Sequence, residues 1–102
     1  MSLKLDKELQ VILKTGKMIF GSKSAIKSVK LGKAKMIIIS STIPKNIKED
    51  ILYYAKLSNI PVIEFNGSSW DLGFICGKPF MISAITVLDP GESEILKLAE
   101  GR

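Results

Sequence analysis

Histidine is absent from the 102 residues of this sequence, and cysteine occurs once, as Cys76. The absence of histidine excludes His-based acid–base catalysis and His metal ligands. One cysteine can form neither an internal disulfide nor a zinc site of the usual Cys/His kind. Cys76 stands between Ile75 and Gly77, where we interpret it as a small packing residue rather than a nucleophile. The sequence therefore predicts neither an enzyme nor a metal or cofactor site.

Long apolar runs are also absent. The apolar stretch over residues 3–13 is interrupted by four charged side chains, which does not fit a secretory signal peptide. No other run approaches the roughly 20 apolar residues that a membrane-spanning helix needs. The single cysteine favours a reducing compartment. Together these features predict a cytoplasmic protein with no membrane partner.

Charge is unevenly distributed along the chain. Residues 1–35 hold nine lysines against two acidic residues, a net charge of +7, whereas residues 36–102 hold six basic and eight acidic side chains, a net charge of −2. The two parts give the overall charge of +5. A positive field concentrated in one third of a chain is typical of a nucleic-acid footprint. A lysine-rich surface also occurs in thermophilic proteins, so charge alone leaves both readings open.

Apolar patterns of helix type and strand type alternate along the whole chain. Residues 36–39 form a continuous apolar run of strand length, which suits a strand covered on both faces. The alternation predicts one domain over residues 1–102 with an α/β fold, a three-layer α/β/α sandwich around a mixed sheet of about four strands. The predicted strands are Lys17–Phe20, Met36–Ile39, Pro61–Phe65 and Met81–Leu88, with helices before, between and after them, the terminal one through Ile95, Leu96 and Leu98.

Small and polar residues mark where the predicted helices begin and end. Gly16 closes the first helix by taking the left-handed conformation. The hydroxyls of Ser22–Ser24 cap the start of the second helix. Asn46 with Glu49 resembles a capping box at the start of the third, and Ser68 caps the short fourth helix.

Three connections adjoin the predicted strands at what we expect to be one edge of the sandwich. Gly21–Lys23 joins a glycine, where backbone can approach a phosphate closely, to a helix N-terminus and a lysine. Ser41–Pro44 is a polar turn, and Gly77–Met81 combines a lysine with an aromatic and a methionine that can pack on an unstacked base. The ordinary readings are Gly21 as a turn and Phe80 as a core residue. The agreement among the three connections predicts a joint RNA site.

Five parts of the chain follow the motif order of a known family. They are Thr15–Lys17 with Phe20–Lys23, Gly32–Ile39, Ile47–Ala55, Leu72–Pro79 and Val87–Ser93. In these parts the sequence resembles the e-type protein thirty family of the archaeal and eukaryotic large ribosomal subunit, within the wider superfamily of kink-turn RNA-binding ribosomal proteins. The archaeal form is the more similar one, because this chain is short and shows no eukaryotic extensions.

The resemblance implies a non-enzymatic protein that recognises a kink-turn, an RNA helix–internal loop–helix bent sharply at sheared G·A pairs beside a protruding base. It places Gly21 and Lys23 against the G·A pairs and the nearby backbone. It places Phe80 and Ile82 against protruding or unstacked nucleotides. The RNA-binding residues predicted in full are Gly21, Ser22, Lys23, Ser24, Lys27, Thr42, Pro44, Gly77, Lys78, Pro79, Phe80, Met81 and Ile82.

One position departs from the family pattern. The family usually has an asparagine after the second strand that reads a guanine edge, and this sequence has Thr42 there. A threonine hydroxyl can bond a base but does not reproduce the paired donor and acceptor of an amide. The implied direct readout of that guanine is therefore incomplete in this chain.

The partners that the resemblance implies are ribosomal RNA and the large ribosomal subunit. We further expect no small-molecule substrate and a monomer when free. An alternative is a kink-turn protein of a guide-RNA modification particle or a ribonuclease particle. In that branch the loop after the first strand usually carries Gly-x-Asn-Glu, and Gly21–Ser24 departs from it. An α/β enzyme would need a cluster of titratable groups that this sequence does not offer. A protein-interaction adaptor of the same fold is opposed by the basic N-terminal third.

Overall fold

The computed structural model describes residues 2–91 as an alternation of four helices and four strands. The predicted terminal helix, through Ile95, Leu96 and Leu98, lies outside the described residues. The elements are α1 (Ser2–Thr15), β1 (Lys17–Phe20), α2 (Ser22–Lys30), β2 (Met36–Ser40), α3 (Lys45–Leu57), β3 (Val62–Phe65), α4 (Ser69–Ile75) and β4 (Ala84–Asp89).

The last strand begins later than its apolar sequence predicts. It was predicted from Met81 to Leu88, but β4 begins at Ala84. The preceding segment lies beside α4, where the N–H of Ile82 donates to the carbonyl of Ser69 at 3.0 Å. The backbone N–H of Ile82 is thus bonded to the neighbouring helix rather than to the sheet, which an apolar pattern alone does not reveal.

The topology of the sheet determines which strand ends lie at the same edge. Its strand order is β1-β4-β2-β3. Strand β4 is antiparallel to both β1 and β2, with Phe20 opposite Ile85 and Ile39 opposite Ala84, and β2 is parallel to β3. The C-terminal ends of β1, β2 and β3 therefore lie at the same edge as the N-terminal end of β4. We call this edge of the sandwich, with residues 21–24, 41–44, 66–68 and 77–83, the loop end.

Helices cover both faces of the sheet, which confirms the three-layer α/β/α sandwich. Helices α1 and α4 pack on one face against Ile38 and Ile85, and α2 and α3 pack on the other against Ile37 and Ala84. All five residues of β2 are buried, as the continuous apolar run predicted. Full burial of one such aliphatic side chain contributes about 1.5–3 kcal/mol, so this central strand fixes the layer arrangement.

The predicted helix starts are confirmed only in part. Ser68 caps α4 as predicted, in a capping box with Asp71. The hydroxyls of Ser22–Ser24 do not cap α2, whose N-cap residue is Gly21 with no side-chain hydrogen bond. The capping box of Asn46 is also wrong, because the N-cap residue of α3 is Pro44, two residues earlier, and Asn46 already lies inside the helix.

Close contact, rather than conformation, explains the glycine after α1. Gly16 was predicted to be left-handed, yet it is not among the residues with positive φ. A Cβ atom at Gly16 would instead overlap the carbonyl oxygen of Asp89. Only glycine, which has no Cβ atom, fits at this position, because the end of β4 passes directly over it.

Candidate nucleic-acid interface

The three connections singled out in the sequence meet at the loop end. The N–H of Gly21 donates to the carbonyl of Ala84 at 2.9 Å, and the N–H of Ser40 donates to the carbonyl of Ser83, also at 2.9 Å. The start of β4 thus lies between the connection after β1 and the connection after β2. The Nζ atom of Lys78 lies 5.2 Å from the ring centroid of Phe20, which places the third connection beside the first.

The first connection presents an uncapped helix N-terminus. Gly21 has φ 117°, a value that L side chains rarely adopt, and among the described residues no side-chain cap bonds the start of α2. Lys23 and Lys27 are exposed one turn apart. In the part of the chain that the structure describes, neither lysine has an ion-pair partner. Free N–H groups, the helix dipole and two free ammonium groups together favour an anion here.

The second connection is exposed, but the hydroxyl group of Thr42 already forms hydrogen bonds within the protein. Thr42 and Pro44 are both exposed, and Pro44 is the N-cap residue of α3. The Oγ1 atom of Thr42 accepts a hydrogen bond of 3.0 Å from the N–H of Ser69 and lies 3.0 Å from the Oγ atom of Ser69. Thr42 therefore ties its turn to the start of α4.

The third connection is a loop with an exposed apolar tip. Gly77, at φ 71°, follows α4 in a Schellman motif in which the N–H of Lys78 donates to the carbonyl of Gly73 at 2.9 Å. This motif turns the chain sharply, and Pro79, Phe80 and Met81 follow it on the surface. The side chain of Phe80 is 49% exposed and that of Met81 is 54% exposed, so the reading of Phe80 as a core residue does not hold.

Ile82 is the predicted site residue that the structure places in the interior. Its side chain is 2% exposed and belongs to the cluster with Leu72 and Ile85, between the sheet and α4. In this structure Ile82 presents no surface to a nucleotide. Its burial anchors the base of the loop whose tip carries Phe80.

The thiol of Cys76 is a further group with possible reactivity in the part of the chain that the structure describes. Burial raises the pKa of the Cys76 thiol to about 11, with a smaller opposing effect of Lys78, so the thiol is protonated near neutral pH and fits the predicted packing role. Across residues 2–91 no group of three or more His, Cys, Asp and Glu side chains could hold a metal ion. Over the same range no helix has the length and apolarity to cross a bilayer.

The sequence did not predict a cluster of hydroxyl groups that lies beneath the loop end. The Oγ atom of Ser69 lies 2.8 Å from that of Ser40 and 3.1 Å from that of Ser83. These serines are separated by 29 and 14 residues along the chain, so no local spacing connects them. The available signal was that Ser40 ends β2 and Ser83 directly precedes the neighbouring strand β4, which requires the strand order to be known first.

The sequence matches one protein family over most of its length, described as the ribosomal protein L7Ae/L30e/S12e/Gadd45 family, at residues 3–97. The large ribosomal subunit protein eL30 of Saccharolobus solfataricus is 59% identical over 95 residues, 93% of this chain and 88% of that protein. The protein of the same name from Sulfurisphaera tokodaii is 60% identical over 92 residues, 90% of this chain and 87% of that protein. The protein of the same name from Methanothermobacter thermautotrophicus is 50% identical over 94 residues, 92% of this chain and 96% of that protein. This chain belongs to the ribosomal protein L7Ae/L30e/S12e/Gadd45 family and, within it, groups with the archaeal eL30 proteins.

Proposed function

We propose that this chain is a structural protein of the large ribosomal subunit that binds and stabilises kink-turn rRNA through its loop end. The observation that carries the proposal is the convergence of three connections around the uncapped start of α2. Relatives over nearly the whole chain bear the name of a large ribosomal subunit protein, which supports a structural rather than an enzymatic role in the cytoplasmic ribosome. The same names favour the ribosome over a guide-RNA or ribonuclease particle.

The proposed mechanism is the capture of a bent RNA. A sharp bend brings two phosphate backbones close together, and the resulting charge is met by the start of α2 with Lys23 and Lys27. The exposed side chains of Phe80 and Met81 offer an apolar surface to a base that the bend has left unstacked. Because these contacts exist together only in the bent conformer, the protein shifts the RNA toward it.

Binding to a kink-turn RNA should be titrated at several salt concentrations, beside an RNA whose G·A pairs are replaced by Watson–Crick pairs. We expect much tighter binding to the kink-turn, with an affinity that falls linearly with salt on a double logarithmic scale. Equal and weak binding to both RNAs would mean that the lysines form a general polyanion surface, and the proposed function would be abandoned.

The substitution Lys23→Ala tests the phosphate contact at the start of α2. We expect weaker binding and a salt slope smaller by about one, since one released counterion is lost with one phosphate contact. The matched control is Lys56→Ala, which removes another exposed lysine from the last turn of α3, away from the loop end. An unchanged slope for Lys23→Ala would remove this side chain from the phosphate contacts.

A further inference from the structure

Ser69 is the centre of the hydroxyl cluster beneath the loop end. Its side chain is 4% exposed. Its Oγ atom lies within hydrogen-bond distance of the hydroxyl oxygens of Ser40 at 2.8 Å, Thr42 at 3.0 Å and Ser83 at 3.1 Å. One buried atom therefore joins the end of β2, the connection after it, the start of α4 and the segment before β4.

The backbone of Ser69 bridges the same connections. Its N–H donates to Oγ1 of Thr42 at 3.0 Å, and its carbonyl accepts from the N–H of Ile82 at 3.0 Å. Ile82 stands two residues after Phe80. Ser69 thus holds the turn of Thr42 on one side and the loop of Phe80 on the other.

We propose that Ser69 is a positioning residue that sets the spacing between Thr42 and the Phe80 loop, and that the Thr42 hydroxyl acts through Ser69 rather than by reading a base. The proposal rests on the proposed function and adds to it a residue that has almost no surface with which to contact RNA. Its physical basis is that a partly buried hydroxyl network, with each member hydrogen-bonded, holds its segments in one arrangement. A misplaced Phe80 loop keeps the side chains of Lys78 and Phe80 but no longer presents them together with Lys23 and Lys27 of α2.

The first test is Ser69→Ala, measured against a kink-turn RNA and its Watson–Crick control. We expect the affinity for the kink-turn to fall about tenfold, a typical size for coupling within one hydrogen-bond network. Binding to the control RNA should change little, because general phosphate contacts do not depend on the loop spacing. The ratio of the two affinities therefore falls, which a uniform loss of folded protein does not produce.

A matched variant separates positioning from stability. Ile51→Val removes one buried methyl group from the layer formed by α2 and α3, on the face of the sheet opposite to α4, with a modest loss of stability. All measurements are made at a temperature where each variant is fully folded by circular dichroism. We expect Ile51→Val to keep the wild-type affinity ratio. A ratio unchanged in Ser69→Ala, or lowered equally in Ile51→Val, would overturn the positioning role.

A double-mutant cycle with Thr42→Val tests how Thr42 acts. Valine has the shape of threonine without the hydroxyl. If Thr42 acts through Ser69, the double variant loses less affinity than the product of the two single losses. Fully multiplicative losses would show that Thr42 contacts the RNA independently of Ser69, and this part of the proposal would be rejected.

The outcomes also separate this inference from the proposed function. A wild-type protein that does not distinguish the kink-turn from its control contradicts the proposed function, and the role of Ser69 with it. A wild-type protein that makes the distinction, together with an unaffected Ser69→Ala variant, contradicts the role of Ser69 alone.

Discussion

The substitution Gly73→Ala is expected to lower the free energy of unfolding by about 1–3 kcal/mol, the usual cost of forcing an extra carbon into a packed site. A Cβ atom at Gly73 would overlap the carbonyl oxygen of Phe80 and lie 3.2 Å from its carbonyl carbon. Both neighbours are backbone atoms, so relief requires the whole Phe80 segment to move. Because Ile82 anchors that segment in the core, the displacement is resisted.

Helix propensity predicts the opposite sign for this substitution. Gly73 lies inside α4 and lacks a positive φ, and alanine is favoured over glycine in a helix interior by about 1 kcal/mol. A net destabilisation would therefore show that the contact between α4 and the Phe80 segment outweighs the local preference. The measurement is urea unfolding followed by circular dichroism.

The control for Gly73→Ala is Gly32→Ala. Gly32 has φ 69° and nothing within 4 Å of an added Cβ atom, so its replacement costs only the left-handed strain of about 1–2 kcal/mol. The distinguishing readout is RNA binding, which Gly73→Ala should weaken and Gly32→Ala should leave unchanged. A Gly73→Ala protein of wild-type stability or greater would contradict the close packing of Phe80 against α4.

The substitution Phe80→Ala is expected to weaken binding to a kink-turn RNA by about 1–3 kcal/mol, the range for loss of one base-stacking aromatic side chain. Its effect on stability should be small, because half of the side chain is already exposed. Isothermal titration with the kink-turn RNA and urea unfolding of the free protein measure the two effects separately.

Phe74 provides the matched control for this result. Phe74 lies on α4, outside the predicted site, and is 83% exposed. We expect Phe74→Ala to bind the RNA with near wild-type affinity. Equal losses for the two variants would show a general effect of surface aromatic groups, and an unchanged affinity of Phe80→Ala would remove this side chain from the base contacts.

The sequence predicted those features that depend on local pattern. The apolar run of β2 predicted a strand buried on both faces, and Ser68 predicted the start of α4. The alternation of helix and strand patterns predicted the sandwich, because each element must bury an apolar face. The meeting of three connections at one edge followed from the same alternation.

Features that depend on distant contacts were not predicted from the sequence. Ile82 continues an apolar pattern, yet its backbone pairs with Ser69 on a helix rather than with a strand. The start of α2 carries serines but is left without a side-chain cap. The hydroxyl cluster joins residues far apart in the chain, and only the strand order brings them together. Local propensity does not predict these three features, because tertiary contacts determine them.

The central claim is that this protein captures a bent RNA at its loop end. It is tested most directly by fluorescence energy transfer between dyes on the two stems of a kink-turn RNA, titrated with protein in magnesium-free buffer, where the free RNA is extended. We predict that transfer rises with protein to saturation, at the concentrations that titrate binding. Saturable binding without any rise in transfer would show that the protein accepts the extended RNA, and the account of bend capture would be contradicted.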